Sequence, residues 1–180
     1  MMDSDEPDLD IAIQVTQNFK GINVSLPKIR KLVKNICNRF PSYDKQDVSA
    51  KATKYEISIA IVNDAQFREL NGRFLNRKST SDCLSFDLSD TGSGSPKLFE
   101  IIVNGEIAVK QANLHGHSND AELALYITHG LLHNLGFDDS TPSRARKMHD
   151  IEDEILQQLG YGMVYNKSII AQQHKKAKNK

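Results

Sequence analysis

Cysteine and tryptophan are scarce in this chain of 180 residues, which contains two cysteines and no tryptophan. Cys37 and Cys83 lie far apart in the sequence and form no Cys-x-x-Cys pair. Small proteins that depend on disulfides are rich in cysteine, and zinc sites built from thiolates need closely spaced cysteines. The cysteine content therefore indicates neither a disulfide framework nor a cysteine metal site.

Long apolar runs and an excess of either charge are also missing. No apolar run approaches the ~18 residues that a membrane-spanning helix needs, and the first ten residues are acidic where a secretory signal would be basic. The 23 Lys and Arg residues balance the 23 Asp and Glu residues. With 39% hydrophobic and 26% charged residues, the composition is typical of a globular protein. We therefore expect a soluble, cytoplasmic protein with no membrane partner.

The charges are unevenly distributed along the chain. Five acidic residues lie within the first ten positions, five lysines lie after position 166, and no acidic residue follows Glu154. The length is sufficient for one domain with its own core. We therefore predict a single domain over residues 1–162 and a basic, flexible tail over residues 163–180. Such a tail could follow a nucleic-acid backbone or be only a solvated chain end.

The periodicity of apolar residues predicts four strands and five helices. Alternating or β-branched apolar residues predict strands at 9–15, 55–62, 83–88 and 98–103. Helical spacing, with capping residues and prolines near the ends, predicts helices at 25–40, 63–74, 104–114, 119–135 and 141–159. Polar loops are expected at 41–53 and 89–97. This order of elements indicates an α+β fold, in which helices cover a single mixed sheet of about four strands.

The segment 118–139 combines a buried helix with three potential metal ligands. Its helical part is apolar nearly all the way round, as in a helix at the centre of a core. His129 and His133 are four residues apart, so both imidazoles lie on one helix face. Gly136 suits the left-handed position past the helix end, beyond which the chain can double back toward Asp139. Two histidines and one carboxylate leave a coordination position open, as in catalytic zinc sites.

Two kinds of hydrolase use such a site. Zinc peptidases with a His-Glu-x-x-His helix take the Glu as general base, but the residue after the first histidine here is Gly130. The missing carboxylate disfavours a metallopeptidase. Phosphodiester cleavage needs only a Lewis acid and a basic side chain to stabilise the developing charge. Either water or the 2′-hydroxyl of RNA remains open as the nucleophile.

The residues 129–139 read HGLLHNLGFDD. This run resembles the His-Gly-x-Leu-His-Leu-x-Gly-Tyr-Asp-His signature of the YbeY family of bacterial endoribonucleases. The resemblance extends in one consistent order over about residues 9–160. It implies a metal-dependent endoribonuclease specific for single strands, acting in maturation of the 3′ end of small-subunit ribosomal RNA and in ribosome quality control. It also implies single-stranded RNA and the small ribosomal subunit as partners, one Zn²⁺ per chain on His129, His133 and Asp139, and no nucleotide cofactor.

Three positions depart from the family pattern. The third histidine of the signature is Asp139 here, the Asp of a Gly-Asp-Ile element is Glu100, and an Arg implicated in the family's activity falls at Leu75. Arg73 and Arg77 are the candidate replacements, and we predict that they contact phosphate. An exposed basic loop is the alternative for these two. The departures also leave open a ribosome-associated assembly factor with a structural metal and little nuclease activity.

The other histidines carry weaker predictions. His115 and His117 lie near a predicted helix end, where interaction with the helix dipole is favoured over metal ligation. His149 and His174 lie among charged residues or in the tail, and we expect both to face solvent. Asp138 could either orient a ligand histidine or stabilise the turn in which it lies.

Overall fold

The structure, a computed structural model, describes residues 9–41, 54–90 and 95–166. These ranges contain four strands and five helices, as predicted. In chain order they are β1 (Ile11–Gln17), α1 (Leu26–Arg39), β2 (Tyr55–Val62), α2 (Asp64–Leu75), β3 (Cys83–Asp87), β4 (Lys97–Asn104), α3 (Gly105–His115), α4 (Asn119–Asn134) and α5 (Pro142–Gln158). Most of the loop predicted at 41–53, part of that at 89–97, and His174 with the tail beyond Asn166 lie outside the described residues.

The four strands form one mixed sheet in the order β1-β2-β4-β3. β1 pairs with β2 and β2 with β4 in parallel, whereas β3 pairs with β4 in the antiparallel sense. The registers align Ile13 with Ile57 and Ile57 with Phe99, so apolar side chains of three strands point to one face. The predicted α+β fold with a single mixed sheet is confirmed.

The two faces of the sheet carry layers of different size. The larger core lies on the face with α4 and draws on α1, α5 and the apolar face of β1, β2 and β4. A smaller cluster on the opposite face joins α2 to the sheet through Val62, Phe67, Leu84 and Ile102. α2 and α4 therefore lie on opposite sides of the sheet.

α4 lies at the centre of the larger core. Its start is capped by Ser118, whose side chain accepts a hydrogen bond from the backbone N–H of Ala121 at 3.1 Å. Every residue in 121–128 is buried, which confirms the prediction of a central buried helix. At Gly130 an added Cβ would lie 2.9 Å from Cγ2 of Ile101 and 3.4 Å from Sγ of Cys83. The strands therefore approach α4 so closely that a side chain at position 130 would require Ile101 to shift.

The chain reverses after α4 and again after α5. Gly136 has φ of 92°, the left-handed conformation predicted past the helix end, and Thr141 then caps α5. Gly160 ends that region with φ of 85°. The chain remains packed on α5 through Asn166, since Val164 is buried in the larger core. Among the described residues, none of the five helices is both long and apolar enough to cross a membrane.

Candidate metal centre

His129 and His133 turn their Nε2 atoms toward each other, 3.1 Å apart. The opposite nitrogen of each ring is engaged elsewhere: Nδ1 of His129 lies 2.7 Å from Oε1 of Glu152, and Nδ1 of His133 lies 3.1 Å from the carbonyl oxygen of Phe137. A carboxylate and a carbonyl only accept hydrogen bonds, so both Nδ1 atoms are the donors. In the neutral rings both Nε2 atoms then carry lone pairs, and these face each other.

Two lone pairs at this distance repel each other, and a cation between them converts the repulsion into attraction. Asp139 supplies a carboxylate on the open side, with Oδ2 4.0 Å from Nε2 of His129 and Oδ1 3.9 Å from Nε2 of His133. Ligands around a tetrahedral zinc ion lie about 3.3 Å apart. The three predicted ligands are thus brought together, and their chemistry and spacing fit a divalent metal ion.

The three side chains differ in their access to solvent. The side chain of His129 is 16% exposed, that of His133 28%, and that of Asp139 43%. Exposure therefore increases from the helix interior toward the turn. An ion held by the three would be bound from the protein side and open on the other, as a catalytic site requires.

A second group of potential ligands shares His129 and adds His149 and Glu152. Both oxygens of Glu152 are occupied, Oε1 by Nδ1 of His129 and Oε2 by Nδ1 of His149, each at 2.7 Å. These distances are those of charge-assisted hydrogen bonds and are shorter than the about 3.3 Å expected between ligands of one ion. His149 and Glu152 therefore orient His129 for the first group by hydrogen bonds, and they do not form a separate metal site.

Burial and the neighbouring charges shift the pKa values of His129 and Glu152 in opposite directions. Burial raises the pKa of Glu152, but the hydrogen bonds and charges of His129 and His149 outweigh it and hold the pKa below its ordinary value. Burial likewise lowers the pKa of His129, but Glu152, with smaller contributions from Asp82 and Asp139, raises it overall. The carboxylate thus stays ionised inside the protein because two imidazoles surround it.

The prediction that His149 faces solvent is wrong. Its side chain is only 15% exposed, and its ring stacks on Tyr165 with centroids 3.5 Å apart. Sequence analysis also missed Glu152, which is completely buried. One signal pointed to it: Glu152 stands in the stripe formed by Met148, Ile155 and Leu159, where a carboxylate needs a partner.

The remaining candidates lie elsewhere. Arg73 forms an exposed ion pair with Glu69 at 3.0 Å on α2, on the far side of the sheet from α4. Arg77 is exposed in the loop after α2, and Leu75 at the end of α2 is also exposed. Within the described residues, no ion pair or hydrogen bond joins either arginine to the three potential ligands.

Hydrogen bonds show the partners of His117 and Asp138. His117 pairs with Glu122 in the interior, a contact that the sequence did not predict. Asp138 accepts hydrogen bonds from the backbone N–H and hydroxyl of Ser140 and pairs with Arg144 at 2.7 Å. Of the two roles left open for Asp138, the structure shows the turn-stabilising one.

Comparison with known proteins tests the resemblance found in residues 129–139. Residues 13–160 match the family model described as Endoribonuclease YbeY. The chain belongs to the YbeY family. An Endoribonuclease YbeY from Thermodesulfovibrio yellowstonii is 32% identical over 155 residues, which cover 83% of this chain and 98% of that protein. One from Listeria welshimeri is 30% identical over 151 residues, or 77% of this chain and 91% of that protein.

Some YbeY relatives are matched over only part of their length. The match to the Myxococcus xanthus protein is 32% identical and covers 63% of this chain but 40% of the relative. For the Anaeromyxobacter protein the match is 36% identical and covers 58% of this chain and 55% of the relative. The chain thus spans about half of these two relatives. A Thermotoga maritima protein with a solution structure is 22% identical, with a TM-score of 0.45 over 81% of this chain and 90% of that one.

Proposed function

We propose that this chain is a metal-dependent endoribonuclease that cleaves single-stranded RNA. The observation that carries the metal dependence is the pair of Nε2 atoms facing each other at 3.1 Å beside the carboxylate of Asp139. The RNA substrate comes from the names of the relatives. Following the family, we further propose action on ribosomal RNA at the small-subunit 3′ end and in ribosome quality control, in the cytoplasm and with the small subunit as partner.

In this proposal His129, His133 and Asp139 hold one Zn²⁺ per chain. When bound, such an ion acts as a Lewis acid toward a phosphoryl oxygen and lowers the pKa of a water molecule to about 7. The histidines need no rearrangement for this role, because Glu152 and the Phe137 carbonyl already fix both rings by their Nδ1 atoms. The exposed edge formed by His133 and Asp139 is the side from which an RNA strand approaches.

Arg73 and Arg77 remain our proposed phosphate contacts. Arg77 is the stronger candidate of the two for binding phosphate, because hydrogen bonds fix the loop to which it belongs. Asp64 binds the hydroxyl of Thr80 and the side chain of Asn104, which fixes the loop against β4. Arg73 would have to give up its ion pair with Glu69, which costs little because exposed pairs contribute only about 0–1 kcal/mol.

The sheet argues against a peptidase. A glutamate at position 130, which would serve as general base, would place its Cβ 2.9 Å from the side chain of Ile101. The close packing of α4 on β4 therefore disfavours the glutamate that a zinc peptidase would need as general base at position 130. A second function, an RNA-binding assembly factor with a structural metal, is favoured by Leu75, an exposed apolar residue where the family has an arginine.

One experiment separates these functions. Metal content and cleavage of a single-stranded RNA are measured on the wild type and on the double variant His129→Ala with His133→Ala. We expect about one zinc ion per wild-type chain and RNA cleavage, both absent from the double variant. A wild type that carries zinc and binds RNA without cutting it would support the assembly factor. A wild type without metal, or a double variant that cuts RNA equally well, would refute the proposed mechanism.

A further inference from the structure

We propose that His149 and Tyr165 are positioning residues of the metal centre, acting on His129 through Glu152. The chain that follows α5 would then be part of the site and not only of the fold. This inference rests on the proposed metal centre at His129, His133 and Asp139. It concerns how strongly the protein binds the metal, and so it has a readout that does not require RNA cleavage.

Glu152 is the link between α4 and α5. It is completely buried, and its two oxygens accept one N–H each, from His129 and His149, at 2.7 Å. A buried carboxylate that loses one of two donors is no longer held in place on that side, because a buried charge needs hydrogen-bond partners. The hydrogen bond between Oε1 of Glu152 and Nδ1 of His129 therefore depends on the donor that His149 supplies to Oε2.

His149 is in turn fixed by ring stacking. The ring of Tyr165 lies parallel to it, with centroids 3.5 Å apart and an interplanar angle of 13°. The ring of His129 is also nearly parallel to that of His149, at 12°, with centroids 6.1 Å apart. The stack holds the plane of His149, which directs its Nδ1–H toward Glu152.

Tyr165 is held in place by a carboxylate of α5. Oδ1 of Asp153 accepts the backbone N–H groups of Val164 and Tyr165, both at 2.9 Å, and Oδ2 accepts that of Asn166 at 3.0 Å. Asp153 and Val164 are buried. Two adjacent residues of α5 therefore have complementary roles. Glu152 binds the histidines, and Asp153 fixes the backbone of residues 164–166, which includes the tyrosine that stacks on His149.

A purely structural role is the alternative, in which these contacts only stabilise α5. The chain offers a matched control, because His117 and Glu122 form another buried imidazole–carboxylate pair, and the structure shows no contact from either residue to the three potential ligands. Substituting His117 removes a contact of the same kind. Such a variant should lose stability without losing metal affinity.

Three variants test the inference. His149→Phe keeps a ring for the stack and removes the donor, whereas His149→Asn keeps an N–H near the position of Nδ1. His117→Phe is the control. Zinc affinity is measured by competition with a chelating dye and the site geometry from the visible spectrum of bound Co²⁺. The unfolding of the metal-free protein is followed separately, so that a loss of stability is not mistaken for a loss of affinity.

We expect His149→Phe to bind zinc about 10–100-fold more weakly, the range found for outer partners of ligand histidines, with an altered Co²⁺ spectrum. His149→Asn should recover most of the affinity, and His117→Phe should bind as the wild type does. Equal affinity of His149→Phe and wild type would overturn the inference, as would an equal loss in His117→Phe. If His149→Phe does not fold, Tyr165→Leu decides: we expect about tenfold weaker binding, and no change would overturn the inference.

The two possible failures are distinguishable. A wild type that binds no zinc overturns the proposed metal centre, and the inference with it. A wild type that binds zinc with an affinity indifferent to His149 and Tyr165 leaves the proposed function intact and refutes only the positioning role.

Discussion

α4 contributes one residue to a buried imidazole–carboxylate pair near each of its ends, and only one of these two pairs belongs to a potential metal site. At the start of the helix His117 pairs with Glu122, and near its end His129 pairs with Glu152. The free nitrogen of His117 has no hydrogen-bond partner among the described residues. That of His129 faces a second histidine and a carboxylate. The two pairs therefore differ in what the second imidazole nitrogen faces, and only that of His129 faces other potential ligands.

The largest effect is expected at Gly130, directly after His129, where the helix touches the sheet. Gly130→Glu restores the sequence pattern of a zinc peptidase, but its Cβ would collide with Ile101 and its charge would be buried unpaired. We expect a loss of at least about 3 kcal/mol in the free energy of unfolding, so that little folded protein is recovered. Urea denaturation followed by circular dichroism measures it. A folded Gly130→Glu protein with peptidase activity would contradict both the packing and the proposed function.

The next prediction compares the two carboxylates directly. Glu152→Ala should weaken zinc binding about 100-fold, because His129 loses the acceptor that orients it. Glu122→Ala removes the corresponding partner of His117 and should leave zinc affinity unchanged. Dye competition on both metal-free proteins provides the measurement. Equal losses in the two variants would show that general destabilisation, and not orientation, governs metal binding.

The pH dependence of stability sharpens the comparison further. In the metal-free protein the pKa of His129 is raised above its ordinary 6.5 and that of Glu152 is lowered below its ordinary 4.5. The stabilisation due to this pair is therefore complete between about these two values. It is lost as the pH rises through the raised pKa of His129, and as the pH falls through the lowered pKa of Glu152.

Urea denaturation in the presence of a chelator, from about pH 4 to about pH 8, tests this window. We expect the wild type to exceed Glu152→Gln by about 1–3 kcal/mol within the window and by less above it, since hydrogen bonds to charged groups contribute on that scale. Glu122→Gln, the same substitution in the other buried pair, is the control for the general cost of replacing a buried carboxylate. Zinc affinity should increase at high pH, where the stability due to this pair falls, because His129 loses its proton there. Identical pH profiles for wild type and Glu152→Gln would rule out the assigned coupling.

The smallest effect is expected from Asp139→His, which restores the family's third histidine. The carboxylate is the most exposed of the three potential ligands, and an imidazole supplies an equally suitable donor. We expect zinc affinity to stay within about tenfold of the wild type, and a neutral third ligand to make the ion a stronger Lewis acid. Complete loss of metal in this variant would count against the assignment of Asp139.

The local part of this architecture was predictable from the sequence. Capping residues and apolar spacing predicted α4, and the four-residue spacing of His129 and His133 predicted that their rings share a face. Gly136 predicted the reversal that brings Asp139 back. All of these depend on residues within about three turns of one another, where helix geometry determines the positions.

The contacts that orient the ligand histidines were not predictable from local patterns. His149 lies beside Lys147 and Asp150, and such a neighbourhood is typical of an exposed helix face. It is buried because Tyr165 folds back over it, and nothing in the periodicity of α5 describes the path of the chain after that helix. The orientation of His129 likewise depends on a crossing of two helices. Such contacts are set by tertiary packing, which local patterns do not encode.

The separation of contacts along the chain has a consequence for the order of folding. Every side chain assigned to the metal centre and its support comes from residues 129–165, whereas the sheet joins Ile11 to Tyr55 and Tyr55 to Lys97. Closing short loops costs less entropy than closing long ones, and distant strand pairings slow folding. We therefore expect that α4, which carries two of the ligands, and α5, which carries their support, are able to meet before the sheet is complete. On this argument, we expect the docking of Gly130 against β3 and β4 to come late in folding.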